Sequence, residues 1–278
     1  MLVLTTPEEV RNWLQELPTT STRGFVPTMG ALHRGHEALL QSSLSDNDVT
    51  VLSIFVNPTQ FNELSDYENY PSHHSRDLAI AEHHGVDMVY LPSPDAMYPK
   101  DFGSFIEPGS TSLQMEGLHR PGHFRGVTTV VAKLFNIVQP HKAYFGKKDF
   151  QQLSVIRQMA RELNFPVDII GIDTVRESDG LAMSSRNQRL NPDQRQDACK
   201  IYEALVACKT MATKGNVRGA DISTRFEQLL EQSALATVEY ATVCDAYTLE
   251  LVPDIYLHGV LCVAVWYGDV RLIDNIEL

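Results

Sequence analysis

Two spatial periods alternate along this chain. Residues 49–56 are an unbroken apolar and β-branched run, which predicts a central strand buried on both faces. Shorter apolar runs at 24–26, 86–91, 143–145 and 167–172 predict further strands. Between them, apolar residues recur at helical spacing over 35–44, 76–84, 127–138 and 150–163. Thr6, Pro7 and Glu9 make a capping box with proline at the first helical position, opening an earlier helix to about Leu17. Such alternation predicts an α/β domain built on a mostly parallel sheet. Past residue 190 the order changes. Asn191 and Pro192 cap a predicted long helix to about 213, a second helix covers 221–233, and β-rich stretches follow at 237–246, 260–267 and 270–274. That tail reads as a smaller α+β domain.

The most informative stretch is Gly24-Phe25-Val26-Pro27-Thr28-Met29-Gly30-Ala31-Leu32-His33-Arg34-Gly35-His36. Pro27 stops a strand, Gly30 permits a tight turn, and a helix begins near His33 and His36. Free backbone N–H groups and the positive dipole end would favour an anion, and imidazoles there can donate to phosphate oxygens. Surface histidines at an ordinary helix start would read the same way. A zinc site is a further alternative, although the spacing is not H-E-x-x-H. Residues 143–152 repeat the strand, glycine turn and helix order, with Gly146, Lys147, Lys148 and Asp149 at the second helix entrance. Asn57 and Gln60 follow the 49–56 strand at its carboxyl end, where open α/β sheets bind ligands. Arg120 and Arg125, in a glycine-rich polar segment, are candidate anion contacts or simply solvated charges. Ser184, Ser185 and Arg186 suit a mobile phosphate clamp.

A chain of 278 residues with 43% apolar content can bury one large core or two modest ones, and its length favours two domains. Its net charge of -12 argues against a nucleic-acid footprint and against an anionic membrane surface. No run approaches membrane-spanning length, and the start lacks a basic region before an apolar core, so the expectation is a cytoplasmic protein. Cys199, Cys208, Cys244 and Cys262 form no C-x-x-C pair and read as reduced thiols. Neither a Walker loop nor a G-x-G-x-x-G element is present in the sequence.

The segment from Pro27 to His36 resembles the nucleotide-binding element of pantothenate synthetases, a family in the H-x-G-H nucleotidyltransferase-like group. Blocks near 25–36, 55–61, 123–126, 144–152, 174–187 and 271–275 extend the resemblance along essentially the whole chain. It implies a Rossmann-like doubly wound domain over 1–182 that binds ATP and pantoate, a smaller α+β lid domain over 183–278, and a homodimer. Its implied reaction joins pantoate to β-alanine with ATP and Mg²⁺, through a pantoyl-adenylate, releasing AMP and pyrophosphate. Carried over residue by residue, the ATP contacts are Met29, Gly30, Ala31, Leu32, His33, Arg34, Gly35, His36, Gly146, Lys147, Lys148, Asp149, Val175, Met183, Ser184, Ser185 and Arg186. His36, His33, Lys148 and Arg186 carry the catalytic roles, with Asn57, Gln60 and Gln152 on the substrate and no protein-held metal. Lys147 stands where the family pattern leads one to expect an acid. A nucleotidyltransferase acting on a phosphate ester and a noncatalytic nucleotide-binding module are the competing functions.

Overall fold

Residues 1–215, 217–252 and 258–278 are described by a computed structural model and divide into two compact units. The first is Met1–Lys147 with Val155–Ile172, and the second is Lys148–Ser154 with Asp173–Leu278. The second unit thus begins ten residues earlier in sequence than 183 and also takes in a short piece near 150.

In the first unit, β1 (Leu2–Leu4), β2 (Arg23–Thr28), β3 (Val49–Ile54), β4 (Met88–Tyr90), β5 (Lys142–Gly146) and β6 (Asp168–Ile172) form one parallel sheet in the order β1-β4-β3-β2-β5-β6. Every β3 residue is buried, as its apolar run predicts. Leu39, Leu40 and Ala81 from the helices Arg34–Asp46 and His74–His84 pack with Val26, Leu52 and Ile54. Each such leucine contributes about 1.5–3 kcal/mol by leaving water. Phe135, from the helix His123–Val138, meets Phe25 edge to face with centroids 6.5 Å apart. This is the expected Rossmann-like arrangement.

The sheet order reverses at β2. Its pairing with β3 runs to Thr28↔Ile54, whereas pairing with β5 ends at Phe25↔Ala143, so β2 and β5 part at their carboxyl ends. Such a switch point opens a crevice in doubly wound sheets. It also accounts for Pro27, which does not stop the strand as its chemistry suggests. Thr28 accepts from Phe55 on the β3 side, so the neighbouring Pro27 faces β5, beyond the last paired residue, where a missing N–H forfeits no ladder bond.

The second unit holds an antiparallel sheet of β7 (Ala236–Asp245), β8 (Gly259–Tyr267) and β9 (Val270–Glu277). Ile201, Leu205, Ile222 and Phe226 from two helices pack against its inner residues Val263, Val265 and Leu272. The long helix expected from Asn191 is two helices, Pro192–Asp197 and Lys200–Ala212. The Tyr267 hydroxyl donates to the Asp197 carbonyl at 3.3 Å, and the Ile201 N–H turns instead to Ala198 at 3.2 Å. The Tyr202 N–H likewise turns to Cys199 at 3.0 Å, so the regular ladder is interrupted at the break. The helix predicted from 127 starts at His123, and β1 lies in a segment whose apolar run is too short to announce it. No helix among the described residues is long and apolar enough to cross a membrane.

Candidate active site

At the carboxyl end of β2 the chain turns through two left-handed residues, Gly30 (φ 87°) and Ala31 (φ 51°). Asp77, fully buried in the helix His74–His84, holds this turn: its carboxylate accepts the N–H of Ala31 at 2.9 Å and of Leu32 at 2.8 Å. The next turn closes with histidines in place of the usual serine and glutamate. His33 is the N-cap of the helix Arg34–Asp46, its Nδ1 accepting from the Gly35 N–H at 3.1 Å. His36 reaches back, its Nδ1 accepting from the His33 N–H at 3.2 Å, and the ring centroids lie 4.1 Å apart. Because backbone N–H groups can only donate, both Nδ1 atoms are acceptors and the ring protons sit on Nε2.

This geometry narrows one expectation. Five of the N–H groups around this helix start are engaged within the protein: Gly30 to the Thr28 hydroxyl, Ala31 and Leu32 to Asp77, His33 and Gly35 to imidazoles. Asp77 was missed in the sequence, where its signal was an acid four residues before Ala81 on the buried face of a helix.

Asn57 caps the short 3₁₀ turn Pro58–Gln60. It is 1% exposed, its Nδ2 donating to Gln60 Oε1 (3.0 Å) and the Gly126 carbonyl (3.2 Å), and its Oδ1 accepting from the Tyr98 hydroxyl (2.7 Å). Desolvation holds the Tyr98 phenol above its ordinary pKa, so it stays a protonated donor. The structure thus puts Asn57 behind Gln60 as its support, with its amide consumed inside the protein. Gln60 is also close to the opening turn, with Nε2 3.0 Å from Met29 Sδ. From the other side, His123 Nδ1 lies 2.9 Å from the Gln60 carbonyl and must donate to it. Gly126 allows this packing, since a Cβ there would stand 2.4 Å from the Thr59 carbonyl oxygen. Arg125 pairs with Glu107 at 3.1 Å and lies over the Phe105 ring, and Arg120 lies 3.8 Å from Glu116. Both arginines thus have acidic partners of their own.

Within the second unit, Lys148, Ser184, Arg186, Asn187, Arg271 and Asp274 line one pocket. Lys148 belongs to the 3₁₀ turn Lys147–Asp149 that follows Gly146, and its Nζ is 3.9 Å from Asp149. Residues 176–182 form a tight loop closed by an Arg176↔Ala182 bridge, with the Met183 N–H donating to the Val175 carbonyl at 2.9 Å. Val175 and Met183 are thereby adjacent. Ser184 caps the turn Ser185–Arg189, its hydroxyl accepting from the Arg186 N–H at 3.2 Å. Arg271 is held by Glu239, Nε to Oε2 at 2.9 Å, and Glu239 also accepts from Trp266 Nε1. Glu239 falls where the β7–β8 register shifts. Gln152 is half-buried in the helix Phe150–Glu162.

Comparison with known proteins gives the same picture throughout. A family model described as pantoate-beta-alanine ligase matches residues 2–277. A pantothenate synthetase of Herpetosiphon aurantiacus is 48% identical over 279 residues, covering all of both chains, and one of Sulfurihydrogenibium is 46% identical over the same span. The crystal structure of pantothenate synthetase from Thermus thermophilus superposes with a TM-score of 0.94 at 42% identity, over 100% of this chain and 99% of that one. A Francisella tularensis pantoate-beta-alanine ligase, solved with βγ-ATP and β-alanine, gives 0.82 at 33% identity over 100% and 97%. Agreement of this kind from end to end leaves one conclusion about descent: the chain belongs to the pantoate-β-alanine ligase family.

Proposed function

We propose that this chain condenses pantoate with β-alanine in two steps, through an enzyme-bound pantoyl-adenylate. The observation that carries the reading is the mutual histidine cap, which sets the two imidazoles of the H-x-G-H stretch side by side just after β2. A carboxylate carbon is a poor electrophile because its leaving group would be oxide. Attack of a pantoate carboxylate oxygen on the α-phosphorus of ATP breaks the α–β phosphoanhydride and expels pyrophosphate. Negative charge grows on the transferring phosphoryl group and on pyrophosphate, and donors aimed at that charge are worth more than in water. His33, His36, Lys148 and Arg186 are assigned to this work. In the second step the neutral amine of β-alanine attacks the acyl carbon, AMP leaves with the bonding pair, and the amine gives up a proton. No protein nucleophile is required.

Met29 to His36, Gly146 to Asp149, Val175 and Met183 to Arg186 are the proposed ATP contacts, with Gln60 and Gln152 on pantoate. Asn57 is reassigned as the support of Gln60. Lys147 adds a positive charge to the turn in place of the acid expected there. Mg²⁺ would arrive on the triphosphate, held mainly by phosphate oxygens as this ion usually is, and would offset charge on the leaving pyrophosphate. Lys148 and Arg186 have no lone pair to offer Mg²⁺ and would bind phosphate oxygens instead. A homodimeric, cytoplasmic enzyme is part of the same reading. Rapid mixing of enzyme with pantoate and Mg-ATP tests it: about one equivalent of pyrophosphate should form and stop, and β-alanine should then restore turnover. Pyrophosphate that appears only when β-alanine is already present would overturn the two-step order, and none under either condition would overturn the reaction.

A further inference from the structure

Two neighbouring residues near the end of β9 grip the segments that bear Lys148 and Arg186. Asp274, 4% exposed, accepts from both ends of the Arg176 guanidinium at 2.6 and 3.0 Å. Arg176 in turn donates to the Gly180 carbonyl at 3.1 Å and lies over the Tyr202 ring at 3.9 Å. This locks the 176–182 loop whose end runs directly into Ser184 and Arg186. Asn275, 7% exposed, sends its Nδ2 to the carbonyl of Lys148 at 2.9 Å. Its own N–H donates to Asp274 Oδ1 at 2.8 Å, which joins the two grips. Adjacent strand residues project to opposite faces of a sheet. One dipeptide can therefore fix two different segments.

We propose that Asn275 is a positioning residue for adenylation, acting through Lys148: by pinning the Lys148 backbone to the strand that also holds the 176–186 segment, it fixes where the lysine ammonium starts from relative to Arg186. The inference rests on the assignment of Lys148 to the phosphates of ATP. A lysine side chain has four flexible methylenes, so its reach toward a phosphate is reproducible only if its backbone is anchored. Asn275 is not expected to touch ATP.

A double-mutant cycle tests this, read as Mg-ATP affinity by calorimetry and as the single-turnover rate of pantoate-dependent pyrophosphate formation. Asn275→Ala should weaken Mg-ATP or slow adenylation about three- to ten-fold, the scale of one hydrogen bond, with an unchanged far-UV spectrum. In a Lys148→Ala background the same substitution should cost less than about two-fold, because the group it positions is gone. Equal losses in both backgrounds would overturn the inference, since Asn275 would then act on general stability. An unaltered Asn275→Ala would overturn it too. A harmless Lys148→Ala beside a damaging Asn275→Ala would overturn the route through Lys148 and leave the reaction standing. Absence of pantoate-dependent pyrophosphate from the unaltered protein would remove the reaction itself and the inference with it. Asn275→Ser, too short to reach the carbonyl, runs the same cycle if the alanine variant does not fold.

Discussion

The Nδ1 atom of His36 accepts the backbone N–H of His33 at 3.2 Å, so the ring that is to serve the phosphates also caps the helix that carries it. These two duties can be separated by substitution. Asparagine places an acceptor where Nδ1 stands but has no donor at the Nε2 position, whereas alanine has neither. His36→Asn should therefore melt near the unaltered protein, and His36→Ala should lose about 1 kcal/mol, the usual scale of a cap. Both should slow adenylation about 10²–10³-fold, the cost of one transition-state donor. Thermal melts and single-turnover pyrophosphate release check the two halves independently.

Asp77 binds the opening turn with both carboxylate oxygens. An asparagine side chain in its place would keep one acceptor and aim an NH₂ at the second N–H, so Asp77→Asn leaves a buried donor unmade at a cost of about 1–3 kcal/mol. A lower melting temperature together with weaker Mg-ATP binding is the expected result. A stable Asp77→Asn protein with full ATP affinity would show that the turn holds itself.

Gly126→Ala drives a Cβ to 2.4 Å from the Thr59 carbonyl oxygen, and the neighbour in the way is backbone rather than a movable side chain. The turn Pro58–Gln60 has to shift outward. Pantoate affinity should fall about ten-fold, the effect of misplacing one binding group by a fraction of an ångström. ATP affinity should be spared. Calorimetry with each ligand separates this from general destabilisation, which would weaken both.

His141 gives a pH signature. Its Nδ1 accepts from the Arg23 N–H at 2.9 Å, and its pKa is lowered from the usual 6.5 first by desolvation and then by the Arg23 charge. The unfolded chain therefore binds this proton more readily than the folded one, so stability rises with pH through this range. The contribution is complete above about pH 6.5 and is lost as pH falls through the depressed folded value. Melting temperature should decline below about pH 6.5. His141→Asn, which keeps an acceptor but does not titrate, should flatten that part of the curve.

Features written in neighbouring residues could be read from the sequence, and features made by distant partners could not. The Thr6–Glu9 capping box and the Asn191 cap form as expected, because the partners of each lie within one turn. The H-x-G-H stretch announced a helix start and two adjacent rings, and both are present. What it could not announce was Asp77, which takes the turn's N–H groups from 45 and 46 positions away. The break after Asp197 likewise depends on a hydroxyl 70 residues on, at Tyr267. Pro27 misled for a related reason: proline forbids a strand bond only on a side where a partner is present, and the parting of β2 from β5 is a property of the assembled sheet. Asn57 was legible as a loop amide but not as a buried one, since Tyr98 and Gly126 consume it.

Gln60 offers the sharpest test of the substrate assignment, because its fold contact and its proposed substrate contact use opposite ends of one amide. Its Oε1 accepts from Asn57, while its Nε2 faces the thioether of Met29, a weak acceptor that leaves the NH₂ able to serve a stronger one. Pantoate's carboxylate is such an acceptor. A neutral donor suits it better than a buried arginine would, since its charge diminishes as its oxygen attacks phosphorus and a strong ion pair would stabilise the starting state more than the transition state. Gln60→Glu keeps an oxygen for Asn57 but replaces the donor with a like charge. Gln60→Ala removes both ends and leaves Asn57 Nδ2 with only the Gly126 carbonyl. Stability and affinity should therefore rank the variants in opposite orders. Gln60→Glu should melt higher than Gln60→Ala, by the equivalent of about 1 kcal/mol for the retained hydrogen bond. Yet it should bind pantoate more weakly, because a like charge beside an anion costs more than a missing donor. ATP affinity should be preserved in both. Matching ranks in melts and in pantoate calorimetry would mean that Gln60 acts only as part of the fold, and pantoate recognition would have to be sought elsewhere.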